Sequence, residues 1–197
     1  MTNLRTAYGY SLLELILVLG LIATIAGVTT PNILARLDDI HTLGAVRYTS
    51  GRLQQARMDA VARSVNTAMR VIRTGNSYSV GIYADGNGDG VRTSDIQRGI
   101  DGQIQREERL SDQFPGVEFD ALPGLPAVDP SSIAPGSDPI RLGSGNMAAF
   151  TPLGTSTPGS LYVLGRHDSQ YVIRIFGETG KTRILKFNPE TRRWDPL

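Results

Sequence analysis

Residues 12–28 read LLELILVLGLIATIAGV, seventeen positions carrying a single charge, Glu14. With Tyr10, Ser11, Thr29 and Thr30 on its flanks, the run reaches about 20 residues, the length an α-helix needs to cross a hydrocarbon core. Ahead of it lies a short leader, MTNLRTAYG, in which Arg5 is the one charged side chain. A secretory signal peptide shares the basic start and the apolar run. Two features set this stretch apart: no Ala-x-Ala-like site closes the run, and a carboxylate stands near its beginning. A Glu within lipid costs about 2–3 kcal/mol or more, so an intramembrane acid is a functional feature by default. The plainer reading puts Glu14 at headgroup level, where its charge complements the first helical turn.

The remaining composition narrows the choices. A chain of 197 residues, 40% hydrophobic, 20% charged and with net charge +1, has enough apolar material for one ordinary domain and an appendage. Near-neutrality removes the simplest case for a polyanion binder, leaving only local charge segregation. The absence of Cys excludes disulfides, Cys-type zinc sites and thiol nucleophiles, and only His41 and His167 remain for histidine chemistry.

The signal Gly9-Tyr10-Ser11-Leu12-Leu13-Glu14, followed by its apolar run, resembles the cleavage and methylation signal of type IV prepilins and type II secretion pseudopilins. The resemblance implies cleavage after Gly9 by a prepilin peptidase and N-methylation of Tyr10. It also implies that Glu14 pairs with the N-terminal amine of a neighbouring subunit as a filament grows. Pro31 falls at the twenty-second position counted from Tyr10, where that family commonly has proline. Physical reasoning agrees on Glu14, because a neighbouring amine relieves the cost of a carboxylate in lipid and fixes axial register.

Past Pro31 the helical spacing persists in a more polar sequence. Ile33, Leu37 and Ile40 share one predicted face, and Val46, Leu53, Ala56 and Ala60 continue an irregular stripe. Pro31 is expected to kink the helix without ending it. A helix of residues 12–64 follows, loosened at Gly20, Gly27, Gly44 and Gly51. Its second half is rich in arginine, which reads as a solvated face before it reads as a lipid or DNA contact.

Beyond Val65 the periodicity turns towards two. Residues 67–73 and 78–83, joined through Thr74-Gly75-Asn76-Ser77, predict a hairpin. Further strands are expected at 117–119, 147–150, 161–164, 171–176 and 182–187, with 119–142 as a Pro-rich surface loop. Such spacing suits an antiparallel sandwich or a pair of small sheets. The runs LQQARMDAVARSVNTAMRV (53–71) and AFTPLGTSTPGSLYV (149–163) resemble the GspH/FimT branch of pseudopilins and minor pilins. That branch implies a membrane-anchored helix bearing a β-rich head, placed at or near a filament tip.

One loop has chemistry of its own. Asp85, Asn87 and Asp89 with Gly90 match the D-x-N-x-D-G opening of calcium loops, where alternate oxygens wrap a hard cation. Val91 would offer a carbonyl, while Asp95 stands one residue before the twelfth position, which is Ile96. A hairpin loop needs the same Gly, Asn and Asp for turn geometry alone, so both readings stay open.

Charge is segregated in the head: acids predominate over 74–128 and bases over 166–197, an arrangement suited to head-to-tail packing of non-identical subunits. Some minor pilins of the same branch bind DNA through a basic Gly-Arg-x-Arg turn, and Gly180-Lys181-Thr182-Arg183 is similar to it. A solvated strand face is the alternative for Lys181 and Arg183. The glycines 86, 88 and 90 lack a dinucleotide context, and 177–182 lacks the spacing of a phosphate loop. Nothing in the sequence supports enzyme activity.

The expected class is α+β: a long N-terminal helix, partly transmembrane, packed on a β-rich, sandwich-like antiparallel head. The expected divisions are a leader (1–9), a membrane or filament-core helix (10–31), an amphipathic continuation (32–66) and a head (67–197). The expected role is that of a minor pseudopilin in the bacterial inner membrane, with its head in the periplasm. Its partners would be a prepilin peptidase, other major and minor pseudopilins, an inner-membrane assembly platform and membrane lipid. A DNA-binding minor pilin is the alternative. The one cofactor suggested is Ca2+ in the Asp85–Asp95 loop.

Overall fold

The computed structural model describes residues 11–75, 77–143 and 145–197, with side chains for all of them except 28–32, 34 and 35. Helix α1 spans Leu12–Arg63. Ser11 starts it: its carbonyl accepts the Leu15 N–H at 3.1 Å and its Oγ accepts the Glu14 N–H at 3.2 Å. Pro31 does not end it, since a missing N–H removes one bond of a ladder that continues on both sides. The helix stops where Ser64 turns left-handed, at φ 56.

The chain falls into two compact units, Met1–Leu37 and Asp38–Leu197. In the first, every described side chain of residues 11–27 is exposed, from Leu12 at 77% to Val18 at 45%. Among the described residues, no helix is long and apolar enough to cross a membrane.

In the second unit the helix buries Thr42, Ala45, Val46, Thr49, Leu53, Ala56 and Ala60. Their spacing of three and four residues is that of one helical face. The stripe predicted through Ile33, Leu37 and Ile40 is not this face, and all three are at least half exposed. Ile40 lies roughly 200° around the helix from Thr42, so it cannot share its contact. Val46, Leu53, Ala56 and Ala60 are buried as the stripe predicts, and two threonines, Thr42 and Thr49, share their face. Their hydroxyls donate to carbonyls one turn back, Thr42 to Asp38 at 2.7 Å and Thr49 to Ala45 at 2.9 Å, so burial strands no donor. Close packing also needs Gly165: a Cβ there would stand 2.1 Å from Thr42 Oγ1.

Two antiparallel sheets meet this face. The first comprises β1 (Thr67–Thr74), β2 (Ser77–Ala84), β3 (Gly102–Arg109) and β5 (Met147–Phe150), in the order β3-β2-β1-β5. The predicted hairpin is β1–β2, in register from Thr67↔Ala84 to Thr74↔Ser77. The second sheet orders β4 (Ile140–Arg141), β6 (Gly159–Leu164), β7 (Gln170–Ile175), β8 (Thr182–Asn188) and β9 (Arg193–Pro196) as β4-β6-β7-β8-β9. Short helices α2 (Thr93–Gln97) and α3 (Leu110–Gln113) flank β3.

One core joins the three elements. Leu53 and Ala56 of the helix pack with Met69 and Ile82 of the first sheet and with Leu161, Tyr171 and Ile173 of the second. The alternate residues of the second sheet face outwards, yet Tyr162, Val172 and Leu185 are also buried. Leu125, Trp194 and Phe187 cover them. The Pro-rich stretch expected as a surface loop is therefore partly a third layer, and it contributes β4. Residues 117–119 do not form a strand. They make a single bridge, Glu118↔Leu164, while Val117 and Phe119 fill the core.

Candidate functional site

Four groups of residues were candidates from sequence. Gly9 and Tyr10 lie outside the described residues, and so does the side chain of Pro31. Glu14 sits in the first turn of α1, exposed, with its backbone N–H held by Ser11. A carboxylate in this position complements the positive end of the helix. Around it stand the exposed side chains of Leu12, Leu13, Leu15, Ile16 and Leu17, an apolar surface with one acid near its start.

The Asp85–Asp95 loop is built as a hydrogen-bonded turn. Asp85 is 7% exposed, and its carboxylate accepts the backbone N–H groups of Asn87, Gly88 and Gly90 at 3.1, 2.7 and 2.8 Å, as well as the Asn66 amide at 2.9 Å. Burial opposes ionisation, but Asn66 and the three N–H donors outweigh it and hold the carboxyl below its usual range. Asp101, which the sequence had not singled out, accepts from Gly86 N at 3.1 Å and Arg92 N at 2.8 Å. Gly86 is needed for close approach, because a Cβ would lie 2.0 Å from the Ile100 carbonyl.

Asp95 is buried in α2 and pairs with Arg98 at 2.5 Å, while Asp89 pairs with Arg92 at 2.9 Å. Val91 lies between them in the chain. Among the described residues, no three His, Asp or Glu side chains gather to hold a metal ion. The loop oxygens are thus aimed at N–H groups and guanidinium ions, which is the turn chemistry of these residue types.

Lys181 and Arg183 are exposed at the start of β8. The Lys181 N–H reaches Thr179 Oγ1 at 3.4 Å, and Arg183 stands opposite Arg174 in the β7–β8 register.

Sequence reasoning passed over the polar tie that binds the helix to the second sheet. Asp39 accepts from the Tyr171 hydroxyl at 2.8 Å and from Lys186 Nζ at 2.7 Å. Asp38 accepts the His167 N–H at 3.0 Å. Burial works against the Asp39 charge, yet the hydrogen bonds from Lys186 and Tyr171 prevail and lower its pKa. Burial, aided by the Asp39 carboxylate, raises that of Tyr171. The adjacent aspartates looked like ordinary helix-surface acids, and only tertiary pairing distinguishes them.

No protein-family model matches the chain, and no curated protein matches it significantly. One solved structure is similar: the minor pseudopilin EPSH from the type II secretion system of Vibrio cholerae. The two agree with a TM-score of 0.45 and 16% sequence identity, over 75% of this chain and 94% of that one.

Proposed function

We propose that the chain is a minor pseudopilin, a non-enzymatic structural subunit of a pseudopilus anchored in the bacterial inner membrane, serving type II secretion or pilus assembly. The observation that carries this reading is the register of the Gly9–Glu14 signal against the apolar start of α1. Residues 11–27 are helical or helix-capping and expose nearly every apolar side chain, which burial in lipid or among like helices would remove from water. Glu14 stands where a neighbouring subunit's terminal amine would neutralise it. The β-rich unit carries a separate core and would lie on the periplasmic side. Partners in this reading are the prepilin peptidase, sister pseudopilins and the assembly platform.

Intact-mass measurement of protein extracted from membranes tests it. Cleavage between Gly9 and Tyr10, with one added methyl group, is the expected result. A mature chain beginning after residue 28 would overturn the reading, because the helix would then have been a removable signal.

A further inference from the structure

Residues opposite one another in neighbouring strands project from the same face of a sheet. In the second sheet Arg141 stands opposite Ser160, Ser160 opposite Arg174, and Arg174 opposite Arg183. One cross-strand row therefore holds three guanidinium groups and a serine, on the outer face. Like charges in such a row repel unless counter-charges balance them. Arg174 has one, since its Nε donates to Asp129 Oδ2 at 2.8 Å. Arg141 has none among the described residues: a terminal nitrogen donates to the carbonyls of Ala134 and Pro135 at 3.1 and 2.8 Å, and its buried Nε has no partner.

Ser160, between the two arginines, is 2% exposed, and its Oγ also lacks a partner of full hydrogen-bond geometry among the described residues. The Tyr162 hydroxyl interacts with it, though neither has a hydrogen bond of full geometry among the described residues. A buried hydroxyl and a buried guanidinium N–H left unpaired are costly, and two in one place call for a common acceptor. The residues Arg141 and Ser160 line one cleft of about 340 Å³, together with Ser131, Ile133, Pro158 and Arg174. That volume lies at the small end of ligand sites.

We propose that this cleft binds a small free oxyanion, a phosphate or a short carboxylate, held between Arg141 and Arg174 with the Ser160 hydroxyl donating from the floor. The fork of a guanidinium matches the oxygens of either group, and the anion supplies the charge that the arginine row lacks. Asp129 occupies one side of Arg174 and so limits the site to a single anionic group.

Thermal unfolding of the full chain in detergent tests this, with inorganic phosphate or succinate titrated against sodium chloride at matched ionic strength. A saturable rise in melting temperature with phosphate or succinate, absent with chloride, is expected. Ser160→Ala should weaken the apparent affinity about fivefold while leaving the anion-free melting temperature unchanged or higher, since it removes an unpaired hydroxyl. Arg141→Gln should weaken it at least about tenfold. A response to neither anion beyond that to chloride overturns the proposal. So does an affinity that Ser160→Ala leaves unchanged.

Discussion

The Tyr171 hydroxyl and the Asp39 carboxylate, 132 positions apart in sequence, meet at 2.8 Å and fasten the helix to the middle strand of the second sheet. Tyr171→Phe keeps the ring in the core and removes only the donor. Loss of about 1–2 kcal/mol of unfolding free energy is expected, measured by urea titration at neutral pH.

The same pair sets a pH window. The Asp39 pKa is lowered by folding, so its contribution is present above the unfolded carboxylate value near 4 and fades as pH falls through the folded one. The Tyr171 pKa is raised, so its contribution is complete below about 10 and fades as pH climbs towards the folded value. Stability measured against pH should therefore be flat between these limits for this pair. In Tyr171→Phe the alkaline decline should shrink.

Gly165→Ala should destabilise by about 1–3 kcal/mol, because the new methyl group meets Thr42 Oγ1. Thr42→Ala removes that atom. The double variant should recover part of the loss, and a double-mutant cycle by denaturant titration would register the coupling.

Asp85→Ala removes the acceptor for three backbone N–H groups and one amide at once. Faster hydrogen exchange at Asn87, Gly88 and Gly90 is expected, with about 1–3 kcal/mol lost from the unit as a whole. Since the carboxylate already serves those donors, calcium and magnesium should shift the melting temperature alike. A calcium-specific rise would establish the loop as a cation site.

Under the proposed function, Glu14→Leu should leave membrane insertion intact, because it replaces the one charge in the apolar run, while sister subunits cease to co-purify. Undiminished co-purification would show that the carboxylate does not make the assembling contact.

The sequence exposed some of this plainly and hid the rest for identifiable reasons. The bounds of helix α1 were readable because the apolar run opens it and the switch near Val65 closes it, whereas the buried face of its polar continuation was misread through Ile33, Leu37 and Ile40. The β1–β2 hairpin declared itself through alternation around Gly75. Strand β3 did not: GQIQREER is mostly polar because only part of one face is covered, so its pairing with β2 leaves little pattern. Two-residue β4 is too short to show a period, and β9 is a polar strand ending in proline. At the loop, residue types suggested ligands, whereas the orientation of Asp85 depends on Asn66, nineteen positions earlier. The arginine row across β4, β6, β7 and β8 required knowing which strands are neighbours.

The borders of the two sheets bear on how this molecule avoids sticking to itself. Edge strand β3 carries the exposed charges Arg106 and Arg109, and β4 offers only two residues. The border of β5 is partly occupied by its own chain, through the Phe150↔Ser156 bridge and the Thr157 N–H on the Ala149 carbonyl. Strand β9 closes with Pro196, which has no N–H to give. Charge, brevity, self-coverage and proline are the means by which β-proteins discourage strand-to-strand aggregation. The β-rich unit is thus protected from amyloid-like stacking, which leaves recognition of any neighbour to side-chain surfaces.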